Sequence, residues 1–245
     1  MAMKKQSTDE NVKFTVMKPH WNHIEVKIVG TTPLIMQAIP PTVIENLSRK
    51  DNGLTPIKYK TSDWRRYIDS IHWIDINQKP QTLDSNKTDE ELEAEFNALI
   101  KKYGETGEKL FYIPAEAFKE TIIKGASRND IIGNKDGRSL RGSFLVVGDM
   151  CPIDFTKVEM EKTCTINKNT TSKVRVVAVY SKFYDWSTTL KINYNDDNIS
   201  AQSLIDMIIA SGLSVGILGR RIELNFGKYG TFTVKEATTP VEIQV

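Results

Sequence analysis

The order of strand-like and helix-like segments is the feature of this chain that most constrains its fold. In residues 23–29, apolar Ile24, Val26 and Ile28 alternate with other residues, which predicts a half-buried strand. Further strands are predicted at residues 110–114, 143–147, 151–155, 187–194 and 231–234, and helices at residues 42–47, 88–103, 115–127 and 200–211. This interleaving predicts an α+β fold, in which helices cover one face of a sheet.

A long β-hairpin is predicted in the second half of the chain. Residues 160–170 and 172–181 form its two arms, and the polar residues 167–171 form its tip. Residues 48–108 have a weaker pattern, and we interpret them as a helical insertion rather than as a separate domain. The order of the remaining segments is typical of a ferredoxin-like fold.

Composition limits the class of protein. The 245 residues are 40% hydrophobic and 26% charged, as in a globular protein. The sequence contains no run of about 18 apolar residues, so no membrane span is predicted. Residues 1–20 lack the apolar stretch of a secretory signal, and we expect them to form a flexible leader. The two cysteines, Cys151 and Cys164, favour free thiols over a disulfide or a zinc site. A cytoplasmic protein is therefore expected.

The formal net charge of +2 indicates no particular partner, but the charges are unevenly distributed. No acid occurs between Glu161 and Asp185. That interval contains Lys162, Lys168, Lys173, Arg175 and Lys182. A basic face on a nearly neutral protein still attracts phosphate within the Debye length of roughly 8–10 Å. Charge alone slightly favours the alternative, a solvated lysine-rich hairpin.

The motifs of common enzyme classes are missing from the sequence. It has no P-loop, no dinucleotide-binding glycine motif, no nucleophile elbow and no zinc-protease helix. The three histidines, His20, His23 and His72, have no metal-ligating partner at a useful spacing. We therefore expect no catalytic residues, no metal and no cofactor.

Residues 211–230 are the most unusual passage, because glycines stand among arginines, a lysine and aromatic residues. The glycines are Gly212, Gly216, Gly219, Gly227 and Gly230. Free glycine N–H groups can face phosphate oxygens, and Arg220 and Arg221 can each bind phosphate through two hydrogen bonds. A tight loop whose glycines serve only to allow positive φ angles is equally consistent with this passage alone.

Three passages, in the same order, resemble the RAMP superfamily of RNA-recognition-like proteins, especially the backbone subunits of CRISPR effector complexes. They are Ile28-Val-Gly-Thr-Thr-Pro-Leu34, the segment 112–128 that begins Tyr-Ile-Pro-Ala-Glu-Ala-Phe-Lys, and the glycine-rich segment 216–234. A group of uncharacterised phage and prophage proteins, which has a tryptophan near position 186, is more similar and matches residues 24–234. Residues 115–117 depart from the Gly-Ser-Ser of the CRISPR subunits, and residues 217–221 depart from the Ile-Gly-Glu-Trp-Arg of the phage group.

The resemblance implies an RRM-type palm in a single domain, residues 21–245, with an insertion at about 48–108 and a hairpin thumb at about 157–183. It implies a non-catalytic protein of phage or prophage origin that binds single-stranded RNA or DNA with little sequence preference and multimerises along the strand. Tyr229 or Phe226 would stack on bases, although core packing is the favoured role for Phe226. The implied contact residues are Lys119, Lys124, Arg128, Lys162, Lys168, Lys173, Arg175, Gly219, Arg220, Arg221, Lys228 and Tyr229.

Two other functions are compatible with the sequence. A metal-independent endoribonuclease of the RAMP type needs a general base and a charge-stabilising group, and His20 or His23 with Arg220 are the available residues. The other is a structural role in a phage particle, or a role as an antagonist of host defence. Only the basic features of the sequence argue against it.

Overall fold

A computed structural model of the chain describes residues 19–59, 61–84, 86–131, 137–167, 174–224 and 227–243, with the backbone alone described for 137, 138, 165–167 and 174–176. The strands are β1 (Trp21–Gly30), β2 (Leu34–Met36), β3 (Tyr112–Pro114), β4 (Phe144–Val146), β5 (Met150–Pro152), β6 (Lys157–Asn167), β7 (Val174–Tyr184), β8 (Ser187–Asn195), β9 (Phe232–Ala237) and β10 (Val241–Ile243). The helices are α1 (Pro41–Asp51), α2 (Asp63–Asp69), α3 (Asp89–Thr106), α4 (Ala115–Arg128), α5 (Gly137–Arg141) and α6 (Ala201–Ser214). The expected α+β class is confirmed by this mixture of helices and antiparallel sheet.

The main sheet is antiparallel, with β1 in its interior. β8 pairs with one edge of β1 and carries β4 on its own outer edge, while β9 and β10 follow each other along the second edge of β1. The side chains of Ile24, Val26 and Ile28 are buried, whereas Glu25 and Lys27 alternate with them and form ion pairs on the other face. This alternation is what a sheet with one covered and one solvated face requires.

Helices α4 and α6 cover the apolar face of the main sheet. Ser200 caps the start of α6 by accepting a hydrogen bond from the Ser203 amide. The two helices approach so closely that a Cβ atom at Gly125 would lie 2.4 Å from Ser211 Cα. Glycine is therefore required at the helix crossing by packing, since any side chain would push the helices apart.

The hairpin of β6 and β7 extends from a second sheet, in which β2 is the third strand. Its arms pair from Lys157 opposite Tyr184 to Asn167 opposite Val174. Because side chains alternate along each arm, every second residue lies on the same face. One face of the hairpin base packs on α2, where Ser70 Oγ donates a hydrogen bond to Ser181 Oγ at 3.2 Å.

Helices α2 and α3, which lie between β2 and β3 in the chain, share the core of the two sheets. A Thr88–Glu91 capping box begins α3, whose Phe96 contacts Tyr67 of α2 with ring centroids 5.2 Å apart. Phe111 lies 5.5 Å from Phe183 of β7, centroid to centroid, in an edge-on contact. One cluster of buried apolar side chains includes all four of these aromatic residues.

The turn after β1 is fixed by a tryptophan from a distant part of the chain. The Trp186 indole donates a hydrogen bond to the Thr32 carbonyl at 2.9 Å and lies over Gly30. A Cβ atom at Gly30 would come 2.1 Å from the indole nitrogen. Glycine is therefore needed at position 30 because no side chain fits between the backbone and the indole.

Several boundaries differ from the predicted ones. α1 continues to Asp51, beyond residue 47, because Arg49 and Lys50 are favourable in a last helical turn. The short α5 was not among the predicted helices, and residues 132–136, just before it, are outside the described ranges. The edge strand β10 has two exposed residues of three, too weak an alternation to predict it. The expected leader also lies outside the described ranges, apart from residues 19 and 20.

No helix in the described ranges combines the length and the apolar character needed to cross a membrane.

Candidate nucleic-acid interface

The loop of residues 216–230, which we call the glycine loop, is held by backbone hydrogen bonds against β2 and the turn that precedes it. The Gly219 amide donates to the Ile35 carbonyl at 3.0 Å, and the Gly230 amide donates to the Pro33 carbonyl at 2.9 Å. The Ile217 amide closes the loop by donating to the Gly230 carbonyl at 2.9 Å. The loop is therefore a fixed part of the surface beside the hairpin base, and its residues 225 and 226 lie outside the described ranges.

The glycine amides do not face outward, which corrects the prediction made for Gly219 and its neighbours. The amides of Gly216, Gly219, Gly227 and Gly230 all donate to carbonyls of the chain. Gly219 is also buried, and a Cβ atom at this position would lie 3.1 Å from the Ile35 carbonyl oxygen. These glycines allow tight turns and close packing. These amides are therefore engaged within the chain and are not available to a ligand.

The ring of Tyr229 gathers three cations at the hairpin base. Lys182 Nζ, Lys228 Nζ and Arg220 Cζ lie 5.4, 5.5 and 5.6 Å from the ring centroid, within cation–π range. The phenol donates a long hydrogen bond of 3.4 Å to Glu161, which also pairs with Lys182 at 3.6 Å. The pKa of Lys182 is raised, first by its hydrogen bond with Tyr184 and then by the nearby Tyr229 and Glu161, although burial opposes the shift. Lys182 is therefore a charged part of this group.

The position of Tyr229 contradicts its expected role as a stacking platform for bases. Its side chain is buried, with only 5% of its surface exposed, so its ring faces are not available to a base. The ring holds cations in place instead. Phe226, the other aromatic residue considered for stacking, lies outside the described ranges.

A single carboxylate, Glu223, gathers a second group of cations beside the first. Arg221 Nε lies 2.9 Å from its Oε2 atom, Arg128 Nη2 lies 3.0 Å from its Oε1 atom, and Lys124 Nζ lies 3.5 Å from Oε2. Burial disfavours the charged carboxylate, but the hydrogen bond from Arg221 and the three positive charges outweigh burial and lower the pKa of Glu223. One negative charge thus faces three positive ones.

The two groups together form a basic surface, which we define as Lys124, Arg128, Lys182, Arg220, Arg221 and Lys228. These six cations contact two carboxylates, Glu161 and Glu223, so the surface has an excess of four positive charges. The adjoining ion pair of Lys157 and Glu159 adds no net charge. The chain as a whole has a formal net charge of only +2, so this excess is a local concentration.

Two arginines of this surface differ in their availability. Arg221 is engaged with Glu223 and the Leu218 carbonyl, whereas Arg220 has no ion pair within the part of the chain that the structure describes. Arg220 and Leu218 also have positive φ angles of 51° and 59°, which are unusual for residues with side chains. Such backbone strain costs about 1–2 kcal/mol per residue and tends to occur at functional sites.

Other predicted contact residues do not join the basic surface. Lys162 lies on the opposite face of the hairpin from Glu161 and pairs with Asp63 of α2 at 2.7 Å. Lys119 lies on α4 about half a turn around the helix axis from Arg128, so the two side chains leave opposite sides of the helix. Lys168, Lys173 and the side chain of Arg175 lie outside the described ranges.

Sequence reasoning did not single out three residues that shape this surface. Lys182 belongs to the acid-free interval, and the alternation along β7 could have separated it from the residues on the other face. Glu161 and Glu223 gave no signal, because an acid that organises cations is not distinguishable in sequence from a solvated one. Part of each role comes from contacts between distant segments, since Glu161 contacts Tyr229 and Glu223 contacts Lys124 and Arg128.

The histidines of the ribonuclease alternative lie far from its arginine. His23 is near the start of β1, where it pairs with β10, whereas the glycine loop contacts the turn that follows Gly30. Seven residues of extended strand separate His23 from Gly30, roughly 23 Å at 3.3 Å per residue. His20 pairs with Asp197, which raises the pKa of its imidazole through a hydrogen bond and through charge. His72 is partly buried, and burial lowers its pKa. Neither His20 nor His23 is therefore adjacent to Arg220.

No group of three or more residues suited to hold a metal ion occurs among the described residues. Comparison of the sequence with known proteins finds no matching family model and no matching curated protein.

Proposed function

We propose that this protein binds single-stranded RNA or DNA without catalysis, with little sequence preference, and multimerises along the strand. The basic surface is the observation that carries the proposal. Its excess of four positive charges lies on one side of a nearly neutral chain. Such an excess attracts a phosphate backbone of any sequence, because phosphate contacts carry no base information.

The side chains of this surface suit phosphate better than they suit a single small anion. Arg220 and Lys228 are both without a carboxylate partner among the described residues, and the Arg220 Cζ atom lies 5.6 Å from the Tyr229 ring centroid, within cation–π range. A guanidinium has five N–H donors, so Arg220 can contact a phosphate while its charge stays near the ring. Arg128 and Lys124 lie on the adjacent end of α4 and extend the row of cations along the surface.

We also propose that the main sheet is a ferredoxin-like palm and that the β6–β7 hairpin is its thumb, as in the RAMP superfamily. The proposal is supported by the strand order β9-β1-β8-β4, in which α4 connects β1 to β4 and α6 connects β8 to β9. A single cluster of buried side chains that includes Tyr67, Phe96 and the sheet residues supports one domain with an insertion. The cytoplasm of a bacterial host is the location that fits a phage protein of this kind.

Self-association is supported by exposed apolar side chains. Helix α1 has no buried residue, and its Val43, Ile44 and Leu47 are 44%, 56% and 55% exposed. Ile39, just before the helix, is 65% exposed. Apolar side chains that are grouped on one surface in this way favour contact with another protein molecule.

Fluorescence anisotropy with a labelled 20-nucleotide strand tests the binding proposal. We expect Arg220→Gln/Lys228→Gln to weaken binding at low salt and to reduce the slope of log K against log salt by about 1.4, since each phosphate contact on a single strand contributes about 0.7. Lys101→Gln/Lys191→Gln is the matched control, because it removes the same charge from exposed positions on α3 and β8. Equal effects of the two double variants, or no binding by the unmodified chain at low salt, would overturn the proposal.

Size-exclusion chromatography with light scattering tests multimerisation. We expect the mass of the complex to increase with the length of the strand. A fixed oligomer that ignores added strands would favour a structural role instead.

A further inference from the structure

A cleft of about 700 Å³ opens between α1, α2 and β7. Its valines, Val177 and Val179, lie on the hairpin face opposite Lys182. Pro40 and Val43 form the α1 wall, and Val177 and Val179 form the β7 wall. Both Val43 and Val177 are about half exposed, so the walls offer apolar surface that water now covers. A cleft of this size accommodates a small organic molecule.

The floor of the cleft is positively charged and buried. Arg65 of α2 is 3% exposed and lines the cleft. Its guanidinium donates to the carbonyls of Thr82 and Lys87, and its Nε atom has no hydrogen-bond acceptor among the described residues. Within those residues it also has no carboxylate partner, since Asp69 is paired with Lys79 at 2.5 Å.

A buried cation without a counter-ion is unfavourable, because burial removes the hydration that stabilises its charge. Asp69 also lines the cleft, but its charge is matched by Lys79, which lies outside the lining, so Arg65 leaves one uncompensated positive charge beneath the cleft. An anion in the cleft would interact with that charge across little water, where the attraction is stronger than in bulk solvent. The floor thus favours a negatively charged group in the cleft.

The rim of the cleft supplies a second cation with free donors. Arg66 is exposed, and its guanidinium donates to the Val177 carbonyl at 3.3 Å and to Thr61 Oγ1 at 3.5 Å. These two contacts leave three of its five N–H groups for a ligand. Gln37 and Thr42 are further polar residues of the lining.

We propose that this cleft binds a small organic anion, in which an apolar body carries a carboxylate or a phosphate. The body contacts the valine and proline walls, and the oxyanion contacts Arg66 above the charged floor at Arg65. The site is separate from the basic surface and does not depend on nucleic-acid binding. Asp63, at the start of α2, pairs with Lys162 of β6 on the same side of the hairpin, so these two residues add no net charge there.

Calorimetric titration of the full chain with 2-naphthoate, 2-naphthyl phosphate and neutral 2-naphthamide tests the proposal. We expect one saturable site for at least one of the two anions. The amide should bind more weakly by a factor of about ten or greater, since a charged oxyanion accepts stronger hydrogen bonds. The first two ligands distinguish a carboxylate site from a phosphate site. Binding of neither anion, or equal binding of the amide, would overturn the proposal.

Two variants with matched controls locate the site. We expect Arg66→Gln to weaken anion binding about tenfold, as for the loss of one charge-assisted hydrogen bond. Arg141→Gln, at an exposed position in α5, should leave it unchanged. Val177→Asp adds a negative charge to the wall and should abolish binding, whereas Val241→Asp, at an exposed position in β10, should not. Unchanged affinity in both Arg66→Gln and Val177→Asp would place the anion elsewhere and refute the assignment.

Discussion

Replacing Glu223 by glutamine tests whether one carboxylate organises the cations of the basic surface. Glu223 is 13% exposed in its side chain and contacts Arg221, Arg128 and Lys124 at 2.9, 3.0 and 3.5 Å. Two of these cations are nearly half exposed, so solvent screens their contribution. Each pair contributes a few tenths to 1 kcal/mol, and glutamine keeps one acceptor, so we expect Glu223→Gln to lower the free energy of unfolding by about 1–2 kcal/mol.

The dependence on pH follows from the pKa of Glu223, which is lowered in the folded protein. A lowered folded-state pKa contributes stability above the unfolded value of about 4.3. That contribution is lost as the pH falls through the folded-state value. The difference in stability between the two proteins should therefore be full at pH 7 and should shrink below about pH 4.3, the unfolded value.

Urea unfolding monitored by tryptophan fluorescence at pH 7, 5 and 3.5 measures this difference. The same variant should bind single strands more tightly at low salt, because the excess charge of the surface rises from four to five. Equal stability of the two proteins at pH 7, or a difference that widens toward pH 3.5, would refute the reasoning. Weaker strand binding by Glu223→Gln would show that the cations need the carboxylate for their orientation more than they are neutralised by it.

Three further substitutions, all measured by urea unfolding, test the packing at a helix crossing, the helix propensity of α3 and the buried ion pair. Gly125→Ala should destabilise the protein by about 2–3 kcal/mol, because its new Cβ atom would lie 2.4 Å from Ser211 Cα at the helix crossing. Gly104→Ala, inside α3 with no atom within 4 Å of the new Cβ, should instead stabilise the protein by about 0.5–1 kcal/mol. Lys79→Met should cost about 3–5 kcal/mol, because it leaves the buried Asp69 carboxylate without its cation. A Lys79→Met protein as stable as the unmodified chain would mean that Asp69 is not charged in the fold.

The sequence predicts the helices and strands that have strong hydrophobic periodicity. It does not predict features that depend on contacts between distant parts of the chain. The strand at residues 23–29 and the helices at 115–127 and 200–211 are found at nearly the predicted positions as β1, α4 and α6, because burial on one face imposes a regular alternation. The hairpin arms are likewise found in β6 and β7. The edge strand β10 is missed because few of its residues are buried.

The candidate site is harder to predict than the fold, because hydrogen-bonding partners are not visible in sequence. The glycines of residues 216–230 suggest amides that are free for phosphate. The amides of all four, however, donate to carbonyls of the chain. Tyr229 has the pattern of a stacking residue but is buried beneath cations. Lys162 and Lys182 belong to one basic interval but leave opposite faces of the hairpin. Local composition therefore finds the region, while strand parity and ion pairing decide which residues act together.

Photo-crosslinking of the protein to a single strand that carries 4-thiouridine, followed by peptide mass spectrometry, tests the central claim most directly. The account predicts crosslinks in peptides that contain the end of α4, the glycine loop and the hairpin base around Lys182. They should be lost in Arg220→Gln/Lys228→Gln and kept in Lys101→Gln/Lys191→Gln. Crosslinks confined to α3 or to the solvated face of the main sheet around Lys27 and Lys191 would contradict the account.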